Sequence, residues 1–332
     1  MAKQKEENTP FDIDEYLGKI PTMTSNIFKK RDVMRSTYIP ENLPHRIDQI
    51  KFITQIIAPA LSLENRSISN LFLYGKTGTG KTAVVYYVLH HFKMKCQELG
   101  REDIKTVFIN CRDVDTSYRV LARLCEQIGE DIPFTGLPTD VVYEKFKTKI
   151  DDGKIGLLII VLDEIDQLVK KSHGKKRPNK ALYELTRINS DLNNSRVHLI
   201  GISNDLNFKN NLDSRILSSL GEEEKVFPPY NSLELEDILR ERAIMGLKEG
   251  VLENGTISLA AALAASEHGD ARRAIDLLRV AAELAERNED RSITQNHVRE
   301  AIRNIEHDKI KDTIKTLPLQ SKLIMLSIYL LE

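Results

Sequence analysis

The sequence predicts an α/β fold: a parallel sheet with helices on both faces, followed by a separate all-α domain. Apolar strand-like runs alternate with helical patterns as far as Pro228-Pro229, and beyond that pair the strand pattern stops. A chain of 332 residues also exceeds the usual size of one hydrophobic core, which favours two domains, or one large α/β domain with an appendage.

The elements follow in order. Residues 1–25 are polar, contain Pro10 and Pro21 and carry no sustained apolar period, so they read as a mobile tail. Structure is expected from about Ile27. Ile50, Ile53, Ile56, Ile57 and Leu61 mark one face of a helix over residues 48–63. Leu71-Phe72-Leu73-Tyr74 reads as a strand closed by glycines, with a helix over 83–95. Further strands are predicted at 106–110, 157–162 and 197–203, with Val226-Phe227 a weaker fifth. Helices are predicted over 233–247, 257–268, 271–286 and 295–305, and Thr294 supplies an N-cap. The division is therefore a tail over 1–25, a core over 26–230, a helical domain over 231–306 and a final segment over 307–332.

Composition narrows the class. With 41% hydrophobic and 29% charged residues, the chain is neither fibrous nor of disordered composition. Cys96, Cys111 and Cys125 fit no CxxC spacing and no even disulfide framework, and read as buried thiols in a reducing compartment. No run of about 18 apolar residues is present and the N-terminus lacks a signal-peptide core, so the expectation is a soluble cytoplasmic protein without a membrane partner. Lys plus Arg number 48 against 49 Asp plus Glu, and a net charge of -1 gives no general argument for nucleic acid. The basic run over residues 170–180 reads as a solvated loop rather than a DNA contact.

Gly75-Lys76-Thr77-Gly78-Thr79-Gly80-Lys81-Thr82 fits G-x-x-x-x-G-K-[ST] in full, between a strand and a helix, with Ala83 continuing into the helix. Glycines let successive N–H groups converge on phosphate oxygens, Lys81 brings a charge to the terminal phosphates, and the Thr82 hydroxyl can ligate Mg²⁺. The helix N-terminus points at the same anion. Leu157–Leu162 then runs into Asp163-Glu164-Ile165-Asp166, at the strand end where open α/β sheets bind ligands. Asp163 is expected to hold Mg²⁺ directly or through water, and Glu164 to orient or deprotonate an attacking water. Asp166 reads as a helix cap or a contact to its neighbours. Taken alone, such acids are equally helix N-terminal residues.

These boxes resemble Walker A and Walker B of AAA+ ATPases. Ile27-Phe28, Tyr38-Ile39-Pro40-Glu41-Asn42-Leu43-Pro44-His45-Arg46 and Ile50 are similar to the segment before the P-loop in archaeal replication initiators of the origin-recognition-complex and cell-division-cycle type. The resemblance implies that Tyr38, Ile39, Pro40, His45 and Arg46 line an adenine pocket. Read from residues alone, the segment is a proline-bounded turn before a helix. Leu199–Asp205 resembles the sensor 1 strand, which makes Asn204 a group reaching the γ-phosphate or its attacking water; otherwise a strand-end Asn is a turn former. Leu212–Leu220 resembles the arginine-finger box, with Arg215 the match and a surface ion pair the alternative. Gly269–Asp276 resembles sensor 2: Asp270 is the N-cap, and Arg272, in preference to Arg273, projects across the cleft to the γ-phosphate.

The resemblance covers residues 27–330 and implies a AAA+ P-loop core followed by an all-α lid. The implied function is an ATP-dependent replication initiator, nucleoid-associated, that binds double-stranded origin DNA and helps recruit or load the MCM helicase. ATP and ADP with Mg²⁺ act as a slow switch, because other initiator protomers must supply Arg215 in trans. Residues 116–129 sit where such initiators insert a further helix that touches DNA. Two other readings stay open, a AAA+ clamp loader or remodelling motor, and a signalling P-loop switch without DNA binding. Two features depart from the family. Such initiators carry a complete winged-helix domain after the lid, whereas Leu317-Pro318-Leu319 and the apolar positions up to Leu331 supply only its first helix. The expectation is a fragment that keeps ATP binding with weakened duplex affinity. The basic run after Walker B is the second departure.

Overall fold

The computed structural model describes residues 25–62, 68–114, 116–133, 135–170, 180–220 and 222–331. The predicted tail, except Ser25, and positions 171–179 of the basic run lie outside the described residues.

A 3-10 turn at Arg31–Met34 and helix α1 (Ile47–Ile57) lead into β1 (Asn70–Tyr74) and α2 (Lys81–Glu98). Then come β2 (Ile104–Asn110), α3 (Ser117–Gln127), α4 (Thr139–Ile150), β3 (Leu157–Asp163), α5 (Asp166–Lys170) and α6 (Lys180–Arg187). The first domain closes with β4 (Arg196–Ser203), α7 (Ser214–Leu220) and β5 (Glu222–Val226). The strands form one sheet in the order β2-β3-β4-β1-β5, with every neighbouring pair parallel. This order brings the carboxyl ends of β3, β4 and β1 side by side, so loops distant in sequence meet at one edge of the core.

Strand periodicity sorts the side chains between two helical layers. Leu157, Ile159 and Val161 of β3 pack with Leu71 and Leu73 of β1 under α1 and α2. Leu158, Ile160 and Leu162 face the opposite way, with Phe72 and Tyr74, towards α3, α4 and α6. Continuous apolar runs are what burial on both faces requires. The edge strand β5 reads Glu-Glu-Glu-Lys-Val and begins before the predicted Val226-Phe227. It takes its place through backbone pairing with β1, and a charged edge resists pairing with another chain.

The second domain comprises α8 (Ser232–Gly246), α9 (Thr256–Ser266), α10 (Ala271–Arg287) and α11 (Gln295–Thr316), followed by α12 (Leu319–Leu331). Asn231 and Glu234 form a capping box on α8, Asp270 caps α10, and Thr294 caps α11. Ile27, Phe28 and Met34 belong to the apolar cluster of these helices, not to the sheet. The backbone joins in the same place, where Lys29 and Lys30 donate to the Gly246 carbonyl and Lys248 donates to that of Ile27. This segment therefore packs against the helical domain, although it precedes the sheet in sequence. A short segment with no strand to pair buries its apolar side chains on the nearest helical stripe, here that of α8 and α10.

Helix α11 continues past the predicted end at Ile305, as a polar extension whose residues are mostly exposed. Leu317, held extended before Pro318, ends it, and α12 carries Leu319, Leu323, Ile324, Leu326 and Ile328 exposed. Among the described residues, no helix is long and apolar enough to cross a membrane. All three cysteines are free and buried.

His198, opposite Ile159 in β4, is fully buried. Burial pulls its imidazole down to about 3, against a smaller opposing effect from the Ile68 backbone. An unfolded imidazole takes up a proton near pH 6.5. Between the two values the unfolded chain binds more protons, so stability falls as pH drops through that window. His198→Leu is expected to flatten this fall. Urea unfolding of parent and variant at a series of pH values checks it, and a stability difference that stays constant with pH overturns it.

Candidate nucleotide site

The loop after β1 turns back over its own backbone. Gly78 and Gly80 take φ values of 73° and 87°, in the left-handed region that side chains disfavour. Space matters as well as conformation: a Cβ at Gly78 would fall 1.7 Å from the Asp270 carboxylate, and one at Gly80 would lie 2.8 Å from the Tyr230 hydroxyl. Lys81 opens α2 and is only 4% exposed. Its ammonium donates to the Gly75 and Lys76 carbonyls at 2.7 and 2.8 Å and to Asn204 Oδ1 at 2.9 Å. Burial pulls it down to about 8; the Asp163 charge raises it and that of Arg272 lowers it.

The acids arrive from β3. Asp163 Oδ2 accepts from the Thr82 hydroxyl at 2.9 Å, and Oδ1 accepts from the Glu164 backbone N–H at 2.9 Å. Glu164 holds a φ of 52°, a conformation that costs a non-glycine residue free energy and is enriched where function demands a fixed side chain. Asp166 is buried and accepts from the backbone N–H of Asn204 and from the Ser203 hydroxyl, both at 3.3 Å. It ties the ends of β3 and β4 together.

A cavity of about 410 Å³ lies between the sheet edge and the second domain. Thr77, Gly78, Gly80, Lys81, Thr82 and Ala83 form one wall, and Asp163, Glu164 and Asn204 close its end. Tyr38, Ile39 and Pro40 form the apolar wall together with Ile238, Met245 and Ile275 of the helical domain. Gly75, Lys76 and Thr79 lie behind this surface: the Gly75 carbonyl holds Lys81, the Thr79 hydroxyl donates to the Lys76 carbonyl, and Lys76 faces a smaller neighbouring cavity. A larger, shallower cleft of about 530 Å³ among Glu130, Asp140, Glu144 and Lys149 lies apart from all of these groups.

The sequence reading put His45 and Arg46 in the same wall as Tyr38, and the structure places both elsewhere. His45 pairs with Asp237 of α8 at 3.0 Å. Arg46 is 2% exposed and donates to the carbonyls of Thr79, His45 and Pro228 at 2.9, 3.0 and 2.8 Å. Its guanidinium lies 3.7 Å from the Tyr230 ring centroid. The reason is geometric: the chain turns at Pro44 and enters α1, which points the two side chains away from the residues before them.

The helical domain reaches the phosphate loop through the start of α10. The Ala271 N–H donates to the Gly78 carbonyl at 3.1 Å, while Asp270 caps the helix by accepting from the N–H groups of Arg272 and Arg273. Arg272 lines the cavity; Arg273 is turned away and paired with Glu267 at 3.0 Å. Arg215 lies outside the cavity, exposed and forked onto Asp213. Sequence reasoning missed Arg242, Tyr86 and Tyr230 in the wall. For Arg242 a signal existed, since it falls on the buried stripe of α8 with Leu235, Leu239 and Ala243, where a cation is out of place unless it has work to do.

The donor set fits a phosphate chain at one end and an apolar ring at the other. Among the described residues, no group of three or more His, Cys, Asp or Glu is placed to hold a metal ion alone. Thr82 and Asp163 offer the oxygen donors that Mg²⁺ uses alongside phosphate oxygens. Arg46 is framework, and its replacement leaves three carbonyls short of a donor. Arg46→Met is expected to lower the unfolding free energy by about 3 kcal/mol, the range for buried groups losing a charged partner. Urea titration reads this directly, and a change within about 0.5 kcal/mol, the range of ordinary surface substitutions, overturns the assignment.

Comparison with known proteins adds the family. Residues 65–207 match the family model described as an AAA domain, and residues 236–303 the Cdc6 AAA+ ATPase-type lid domain. The chain is 49% identical over 309 residues to ORC1-type DNA replication protein 1 of Archaeoglobus fulgidus, covering 93% of this chain and 73% of that one. It is 50% identical over 324 residues to the ORC1-type DNA replication protein of Pyrococcus furiosus, covering 96% and 75%. Among solved structures it resembles the Aeropyrum pernix ORC1 protein in complex with DNA, with a TM-score of 0.82, 45% identity, and coverage of 93% of this chain and 78% of that one. The parallel sheet, the lid and these relatives together show that the chain belongs to the archaeal ORC1-type/Cdc6 family of AAA+ replication initiators.

Proposed function

We propose that the chain is an ATP-governed replication initiator that binds duplex DNA at an origin, acts near the nucleoid with other initiator protomers, and helps recruit or load the MCM helicase. The observation that carries this reading is the lid contact at the phosphate loop, where α10 meets Gly78 and Arg272 faces the same cavity as Lys81. A nucleotide bound there would contact both loop and lid, which supports a link between nucleotide state and lid position. The names of the relatives support the DNA part of the reading.

In this reading Lys81 binds the terminal phosphates and the loop N–H groups hold the remaining phosphate oxygens. Mg²⁺, held by Thr82 and Asp163 when nucleotide is present, supplies charge neutralisation. Glu164 orients or deprotonates the attacking water, Asn204 fixes that water or the γ-phosphate, and Arg272 brings the lid's charge to the same end. The apolar wall of Tyr38, Ile39 and Pro40 receives the adenine. Arg215, outside the cavity of its own chain, serves the phosphate of a neighbouring protomer, so an isolated chain hydrolyses slowly.

Lys81→Ala is expected to abolish ATP binding in a calorimetric titration, and an affinity equal to the parent's sinks the assignment. Glu164→Gln is expected to keep binding while single-turnover hydrolysis falls by a factor on the order of 10² or more. Hydrolysis at the parent rate would move the base elsewhere. The initiator reading itself is tested by duplex binding at several salt concentrations with ATP and with ADP. A salt-dependent affinity that differs between nucleotides supports it. No binding under any condition, together with rapid multi-round hydrolysis, favours a motor.

A further inference from the structure

Arg242 is 5% exposed on α8, among Leu235, Leu239, Ala243 and Gly246 of that helix's buried face. Its Nη1 donates to the carbonyls of Val33 and Tyr38 at 2.9 and 3.1 Å, its Nη2 donates to Tyr38 at 3.1 Å, and the guanidinium lies 5.0 Å from the Tyr38 ring. A buried cation gripping backbone carbonyls is an expensive way to pack two segments, since the charge must leave water. What it provides instead is geometry, because a planar fork accepts its partners in one arrangement.

The segment so held is the one whose next residues wall the base end of the cavity, and Arg242 lines that cavity too. Around it, α8 offers further grips. Glu241 accepts from Asn42 Nδ2 at 2.9 Å, Asp237 takes His45, and Gly246 takes the N–H groups of Lys29 and Lys30. The whole stretch from 27 to 45 is thus fastened to the lid, while Lys81, Thr82 and Asp163 are fastened to the sheet.

We propose that Arg242 is a positioning residue for the base end of the nucleotide, clamping the Val33 and Tyr38 carbonyls so that the wall at Tyr38, Ile39 and Pro40 is carried by the lid. The proposal rests on the nucleotide reading above and adds a division within it: the phosphate loop and the acids, with Arg272, hold the phosphate chain, and the lid holds the base through Arg242. Base and phosphate recognition are therefore separable by mutation on the lid.

The test uses the full chain, titrated calorimetrically with magnesium ATP and with magnesium tripolyphosphate, which has the phosphates and no base. Arg242→Met is expected to weaken ATP by about tenfold or more, as loss of hydrogen bonds from a charged donor does, and to leave tripolyphosphate within about twofold. Arg242→Lys keeps the cation without the fork and is expected to recover part of the loss. Should Arg242→Met fail to fold, the same split between the two ligands in Arg242→Lys decides the matter. ATP affinity equal to the parent's, or an equal loss for both ligands, overturns the proposal while leaving the nucleotide reading intact. A parent chain that binds neither ligand overturns the nucleotide reading, and the proposal with it.

Discussion

The buried guanidinium of Arg46 is the constraint from which the site is built. It reaches the phosphate loop at Thr79, the end of the sheet at Pro228 and the ring of Tyr230 at the start of the lid. A charge taken out of water tolerates few arrangements, since each donor left without an acceptor costs free energy. The Thr79 and Pro228 carbonyls and the Tyr230 ring therefore fix the distance between loop, sheet and lid. Tyr230 is held in turn, and its hydroxyl stands where only a glycine at position 80 leaves room. The left-handed turn that starts α2 and aims Lys81 inward follows from that contact as much as from the loop's own sequence.

The central strands were legible because burial on both faces demands long apolar runs, and β1, β3 and β4 have them. The edge strand was not, because β5 is specified by a partner's backbone and shows no apolar period beyond Val226. Similar logic separates the site residues. Lys81 and Thr82 sit in one short motif and Asp163 and Glu164 in another, each at the end of an apolar strand, where open α/β sheets bind ligands. His45 and Arg46 were placed by likeness to a segment, and the turn at Pro44 sends their side chains to α8 and to the loop's back. Arg242 could be read only by asking why a cation interrupts an apolar stripe, and its acceptors, Val33 and Tyr38, lie some two hundred positions earlier. No local pattern reports a contact of that separation.

The distribution of strain and contact also bears on what the site can do. Glu164 sits at positive φ just after a strand end that is tied through Asp166 to the N–H of Asn204, so hydrogen bonds within the sheet domain hold the acidic end of the cavity. Besides the contact through Arg46 and Tyr230, the lid meets that floor through the Ala271 N–H at Gly78 and the side chain of Asp270 beside it. A contact of so few hydrogen bonds is worth only about 1 kcal/mol apiece. In the proposed switch, a ligand that contacts floor and lid together chooses between lid positions by its differential affinity for them. Acidic groups pinned to the sheet beneath a lid that shares their cavity fit the switch proposed above, in which a bound nucleotide contacts both.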